Sequence, residues 1–431
     1  MQVFKFSGLF IPLFLLYFTA FSQEPQEPKD TLRISLDSAQ EMFVRNNLLL
    51  LAQHYNIDAQ QALIQQARLY NNPNISFSKG VYNTVSKKFF ASGMGETGGG
   101  TDAQLSQLII LAGKRNKQIR IAQANAKLSE EQFYDLLRTL KYSLRTSFFN
   151  IHYLRESAKV YDKEISGLTE VVNAFDALKD KKYISEKEMV RVKARLYSLL
   201  SEYNDLINQI NDAQSDLRLI LQTSKHEYIL PLVDTVQIRS SDPSQHPLAA
   251  LLDSAWHNRT DLRIAKLNTE ISKLSYNYQK ALAIPDVTIE LGYSKQGSYI
   301  PNYNSLGFSI DIPIFNRNQG NIKSAKSMIK VNETSEKSVV ATVDENIYRS
   351  LQKAIDADNL SRKIASSFSA DIERLAQEVL INYQKRNLSL LDFLDFYDAY
   401  KQNVLQLNAI LYNKVQALED INFYTGTNFY H

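Results

Sequence analysis

The chain has 431 residues, 44% of them hydrophobic and 22% charged, with a formal net charge of +3. That composition supports large buried surfaces, and so small a charge leaves no electrostatic footprint for nucleic acid. No cysteine is present, which excludes disulfides, thiolate metal sites, a cysteine nucleophile and a lipid-anchored N-terminal cysteine.

At the N-terminus Lys5 precedes an apolar run from Leu9 to Phe18, and Ala20-Phe21-Ser22 gives a small-x-small pattern before Gln23. This reads as a signal peptide over residues 1–22, followed by a polar mature start. No later stretch reaches the roughly 18 consecutive apolar residues of a membrane-crossing helix. Residence in a membrane would therefore require strands.

The rest of the chain reads as one unit written twice. Leu36-Asp37-Ser38-Ala39 recurs as Leu252-Asp253-Ser254-Ala255, each in a helical stretch. The first stretch runs to about Tyr70 and stops at Asn71-Asn72-Pro73; the second runs to about Ile284 and stops at Pro285. A strand pair follows each stop. In the first copy, residues 73–78 alternate polar and apolar, a glycine-rich, external loop spans Ser92 to Gly100, and the return strand covers Asp102 to Leu111. In the second, Val287, Ile289, Leu291 and Tyr293 share one face, a turn lies at Pro301-Asn302, and Leu306, Phe308, Ile310 and Ile312 share the next.

Each return strand ends at a basic corner, Gly113-Lys114-Arg115 and Asn316-Arg317-Asn318, for which a membrane-proximal structural role is expected rather than phosphate binding. A long helical pattern then begins, carried in the first copy by Phe133, Leu137, Leu140, Leu144, Phe148 and Ile151. It breaks near Lys181–Ser185 in the first copy and near Arg386–Ser389 in the second, and the distance from Gly113 to Ile184 equals that from Arg317 to Leu388, 71 positions. Rods of about 100 Å follow from a rise of about 1.5 Å per residue. After each break a helix of about 40 residues returns. The expected fold is α+β: a long α-helical barrel on a shared transmembrane β-barrel, with repeats at residues 23–247 and 248–431.

Four strands per chain cannot close a barrel, and lipid tolerates no open strand edge. Several chains must pool strands, and three would give twelve, an allowed even number. Tyr82, Phe89, Phe90, Tyr293, Tyr299 and Tyr303 suit aromatic girdles at the strand ends. The competing reading is a pair of soluble hairpins with one wet face; the signal peptide and the rod-length helices favour the membrane.

The segment from Tyr383 to Asp395, YQKRNLSLLDFLD, resembles without a gap the tip segment of the TolC family of outer-membrane efflux proteins, including its heavy-metal and drug branch. Tyr183-Ile184-Ser185-Glu186 resembles the matching tip of the first copy, and the likeness extends over residues 31–425. The resemblance implies a homotrimer in the outer membrane, reaching across the periplasm to a periplasmic adaptor (membrane fusion protein) and an inner-membrane pump. It places Asp392 and Asp395 on the pore's acidic pair and Tyr383 in the tip's locking network; Leu388 stands where that network has an arginine. Asp392 and Asp395 are three apart on a helix and share a face, so in a trimer they would form two acidic rings favouring cations. Asp398 continues the series, rotated further round. Ile184, Ser185, Leu388 and Ser389 are expected as exposed turns for adaptor contact.

No catalytic set, cofactor or metal site is expected. His54, His152, His226, His246, His257 and His431 lack zinc spacing, and neither a nucleophile elbow nor a dinucleotide glycine motif occurs. The function expected is a passive efflux duct for small molecules or metal ions, gated by iris-like movement of the returning helices. The alternatives are the outer-membrane duct of a type I protein secretion system and a periplasmic coiled-coil interaction protein.

Overall fold

The computed structural model describes residues 31–92, 95–179, 185–295, 300–363, 366–385 and 387–430. The signal-peptide reading and the position of Tyr299 lie outside them. In chain order, β1 (Thr31–Ser35) leads into α1 (Leu36–Asn46) and α2 (Leu48–Arg68), then β2 (Asn74–Lys79), the short strands β3 (Tyr82–Asn83) and β4 (Lys88–Phe89), and β5 (Thr101–Ile109). The rod α3 (Lys114–Lys179) and the returning α4 (Glu186–Leu221) complete the first copy, and β6 (Tyr228–Leu232) and α5 (Thr235–Ser240) connect it to the second. There α6 (Leu248–Asn258), α7 (Thr260–Leu282), β7 (Val287–Ser294), β8 (Tyr303–Ile310), α8 (Gln319–Lys363), α9 (Ser366–Gln384) and α10 (Leu390–Thr425) repeat the order.

The four long strands form one antiparallel sheet in the order β2-β5-β7-β8, so the hairpins of the two copies join along β5 and β7. Its register separates two faces. One row runs Ile75, Leu105, Leu291, Leu306, and its neighbour across the pleat runs Ser76, Gln104, Gly292, Ser305. Period-two sequence alternation thus becomes an apolar face and a polar face. On the apolar face Ile75 is 77% exposed and Phe308 67% exposed. A Cβ at Gly292 would lie 2.6 Å from Ser305 Oγ, so a larger residue there would require the Ser305 hydroxyl to turn away. The outer edges of β2 and β8 have no strand partner among the described residues.

The glycine-rich segment is more ordered than a simple connecting loop. β3 pairs with β4, Gly99 N donates to Ala91 O at 2.8 Å, and Asn83 Nδ2 donates to Glu96 O and Gly98 O. A Cβ on Gly99 would meet Ala91 O at 2.3 Å, so the fold depends on glycine there.

Both corners below the sheet use a left-handed residue before the long helix, Ala112 and Gly113 in the first copy and Asn318 in the second. The basic corner of the first copy is structural. Lys114 is buried and pairs with Asp286 at 2.7 Å, while Arg115 donates to Arg68 O and lies over the Tyr70 ring at 3.8 Å.

α3 is one helix of 66 residues, about 100 Å long at about 1.5 Å per residue. The second long run is described as α8 and α9, on either side of residues 364 and 365. The returning helices α4 and α10 have 36 residues each, slightly fewer than expected.

Each helical stretch before the sheet, expected as one helix, is two. Asn47 takes an extended conformation and caps α2 by accepting from Leu49 N and Leu50 N, while its Nδ2 donates to Ile220 O. Arg259 breaks the second stretch with the same extended backbone but no side-chain cap, held by a guanidinium grip on Asp261 and a donation to Tyr424 O. The parallel pair β1-β6 was not anticipated either. It buries Ile34 and Ile229, and Gln214 clasps the Ile229 backbone through both its amide atoms.

Packing is distributed along the rod. One cluster joins α1, α3, α4, β1 and β6 around Phe43, Phe148 and Leu217; another joins α6, α8 and α10 around Leu251, Ile347 and Ile421. A third lies where α3 and α4 meet α10, near the far end.

Candidate pore gate and partner surface

The far end of the rods is built from four helix termini. α4 begins at Ser185, whose Oγ accepts from Glu188 N at 3.2 Å while Glu188 Oε2 accepts from Ser185 N at 3.2 Å, a complete capping box. α10 begins at Ser389 with a partial version of this cap: Asp392 N donates to Ser389 Oγ at 3.2 Å, and Ser389 Oγ donates to Asp392 Oδ2 at 2.6 Å. The two copies therefore start their returning helices with one chemistry, serine at the cap and an acid three residues on. That spacing was legible in the sequence and marks both helix starts to the residue.

Tyr383, on the last turn of α9, stacks on Phe393 of α10 with centroids 4.3 Å apart and planes 12° apart. Phe393 continues to Tyr397 at 4.5 Å, and Phe175 of α3 approaches Tyr383 at 6.4 Å. This aromatic column ties α9 to α10 and α3. Burial pushes the Tyr383 phenol up to about 12, with a further push from the Glu188 charge, so the ring stays neutral.

Of the acidic residues on α10, Asp392 and Asp395 are exposed and share a face, as expected from their spacing. Asp392 is partly engaged by the Ser389 cap. Asp398 departs from the series: it is half-buried, accepts from Arg195 Nη2 of α4, and lies 3.6 Å from Lys401 Nζ. Its charge is compensated and does not extend the acidic face.

Among the four residues expected at the partner surface, Ser185 and Ser389 are exposed caps. Leu388 is half-buried against the tip cluster rather than an exposed turn, because an apolar side chain at this junction fills the space beside the column of Phe393. Ile184 lies outside the described residues, as does Arg386. Two residues the sequence reading passed over supply exposed apolar surface beside the caps: Val190, 61% exposed, on α4, and Leu391, 58% exposed, on α10. Their signal was an apolar residue off the helical seam next to a cap.

Nothing at this end is arranged for bond chemistry, and among the described residues no group of three His, Cys, Asp or Glu is placed to hold a metal ion.

Known proteins resemble this chain in sequence and in fold. A family model described as Outer membrane efflux protein matches residues 41–223. The chain is 20% identical over 413 residues to the cobalt-zinc-cadmium resistance protein CzcC of Cupriavidus metallidurans, covering 95% of this chain and 94% of that protein. Among solved structures, the Campylobacter jejuni CmeC outer membrane channel is similar with a TM-score of 0.73 at 15% identity, over 92% of this chain and 86% of that one. CusC is similar with a TM-score of 0.70 at 16% identity, over 94% and 96%. The shared fold joins a helical barrel to a β-barrel, as the two-faced sheet and the rod-length helices require. Residues 41–223 thus match the outer membrane efflux protein family, and the chain shares over nearly its whole length the fold of TolC-type outer-membrane channels.

Proposed function

We propose that three copies of this chain pool their four-stranded sheets into a twelve-stranded barrel and their long helices into a tunnel. The observation that carries this reading is the sheet itself. Among the described residues both its outer edges are open, and one of its faces is mostly apolar, an arrangement stable in lipid only after closure. The apolar face would meet lipid, and the row through Ser76, Gln104 and Ser305 would line the water-filled side. The two repeats divide at residues 247 and 248, where Pro247 precedes α6.

The duct is passive. Asp392 and Asp395 form the acidic constriction, and Tyr383 positions α9 against α10 as the tip opens and closes. Ser185, Leu388 and Ser389 frame the adaptor contact, with Val190 and Leu391 as its apolar anchors and Ile184 beside them in sequence. A periplasmic adaptor and an inner-membrane pump supply the energy. The cargo is small molecules or metal ions; the name of the Cupriavidus relative supports metal ions as one such cargo.

The absence of cysteine makes the closure directly testable. Within one chain β2 and β8 are separated by two strands, so their spacing of about 14 Å, at about 4.8 Å per strand, exceeds the reach of a disulfide. Ser76→Cys on β2 is combined with a cysteine scan of the polar face of β8, including Ser305→Cys and Ser309→Cys. Oxidation in membranes should give a ladder ending at three chains for at least one pair. Cross-links ending at two chains, or none at any register, would overturn the trimeric barrel.

A further inference from the structure

Between α3, α9 and α10, beginning about two turns from the Ser389 cap, lies a cavity of about 450 Å³. One wall is apolar and aromatic, made by Gly167, Ala376, Leu380, Tyr397 and Tyr400. The other carries charge: Asp162, Glu164 and Glu170 against Lys163. Glu164 is only 1% exposed, and its Oε1 is buried without a hydrogen-bond partner. A carboxylate in that state carries a large desolvation cost unless a positive charge or a proton meets it.

The two described cations acting on Glu164 each hold a closer acid. Lys401 of α10 pairs with Glu202 of α4 at 2.5 Å, and Arg195 of α4 donates to Asp398 of α10. Tyr161 of α3 donates to Glu202 at 3.4 Å, and Gln402 of α10 donates to Asp398 at 3.4 Å. Two cations are thus committed to two other acids, and Glu164 is the third acid of the cluster. Tyr397 and Tyr400 face the same region from α10, and burial pushes the Tyr397 phenol up to about 12, so it contributes no charge. Among the described groups acting on Glu164, the three acids Glu164, Glu202 and Asp398 outnumber the two cations Lys401 and Arg195 by one.

We infer that this cavity binds an amphipathic organic monocation, an aromatic or alkyl ammonium whose charge meets Glu164 and whose body lies along Leu380, Tyr397 and Tyr400. A pocket of this size suits a small organic ligand, and tyrosine faces attract a cation further. A divalent metal does not fit as well: a single carboxylate oxygen, Glu164 Oε1, is buried without a partner, and no three His, Cys, Asp or Glu among the described residues converge. The site stands on three helices of a single chain and is independent of barrel closure. Without the ligand, a proton takes its place. Burial pushes the Glu164 carboxyl up to about 8, against the pull of Lys401 and Arg195 and with an added push from Asp398 and Glu202.

Ethidium, an aromatic monocation, tests this by fluorescence anisotropy with the full chain in detergent, after subtraction of the micelle background. Saturable binding at one site per chain is expected. Because proton and ligand compete for one carboxylate, affinity should rise by about tenfold per pH unit up to about pH 8 and then level off. Glu164→Gln should weaken binding at pH 9 by at least about tenfold and abolish the pH slope. Ala376→Leu, which fills the cavity from α9 and leaves the acid intact, should weaken it as well. Glu156→Gln, which removes a Lys159-paired acid of α3 outside the cavity lining, should leave it unaltered. Binding that does not saturate, or that is equal in Glu164→Gln, or that zinc displaces one for one, would overturn the assignment. None of these results bears on the cross-linking of β2 to β8.

Discussion

The guanidinium of Arg145 grips the carboxylate of Glu419 through two parallel contacts, Nε to Oε2 at 2.6 Å and Nη2 to Oε1 at 2.5 Å, with both side chains buried. The pair joins α3 of the first repeat to the last helix of the second. Two further buried lysines of α10 repeat the device: Lys414 meets Asp358 of α8 at 2.7 Å, and Lys401 meets Glu202 of α4. The last helix is thus laced to three neighbours in turn. Removing one partner strands a buried charge, which typically costs about 3–5 kcal/mol. Arg145→Met should therefore lower the thermal unfolding midpoint sharply, and the double change Arg145→Met with Glu419→Met should recover most of the loss. Equal damage in the single and double variants would show that the pair is not what holds these helices.

The two faces of the sheet predict opposite responses to charge. Phe308→Arg places a guanidinium on the apolar face, where an arginine near the bilayer midplane costs about 2–4 kcal/mol. Ser309→Arg, on the adjacent residue, points to the polar face. Recovery of folded protein from outer membranes should fall for the first and stay near wild type for the second. The reverse pattern would invert the assignment of lipid and lumen.

The shared cap chemistry at Ser185 and Ser389 predicts matched local effects. Ser→Ala at either cap removes an acceptor for an otherwise orphaned amide and typically costs about 1 kcal/mol. Amide hydrogen exchange should accelerate over the first turn of α4 in Ser185→Ala and of α10 in Ser389→Ala, with α3 unaffected. Ser389→Ala also releases the Asp392 carboxylate from its hydroxyl partner. Unchanged exchange in both variants would remove the caps as determinants of the tip.

An acidic constriction predicts sensitivity to cations. In planar bilayers divalent cations should block the parent channel, and the Asp392→Ala, Asp395→Ala double variant should lose most of that block and of the cation preference. Asp398→Ala should leave block largely intact, because that carboxylate is already paired with Arg195 and faces Lys401. Block that survives in the double variant would place the constriction elsewhere.

Much of this architecture was legible in the sequence because it rests on local periodicity. The alternation of Val287 through Tyr293 and the recurrence of Leu137, Leu140 and Leu144 report which face each element buries before any tertiary contact is known. The repeat was legible for the same reason. What escaped is non-local. β1 and β6 are five residues each and lie far apart in sequence, so neither carries enough pattern alone. The breaks at Asn47 and Arg259 depend on partners at Ile220 and Tyr424, which no local window contains. At the tip, the spacing of Asp392 and Asp395 was readable, whereas the withdrawal of Asp398 depends on Arg195 from another repeat. Glu164 reads as an ordinary polar residue of α3; only packing shows that it is buried without a counter-charge.

The central claim is that this chain closes a conducting pore only as a trimer in the outer membrane. The most direct test is to extract the protein from isolated outer membranes in mild detergent, measure its mass in native form, and record single-channel currents from the same sample. Particles of three chains with discrete, long-lived conductance steps are predicted. Protein recovered as a monomer from the soluble periplasm, with no conductance, would contradict the account.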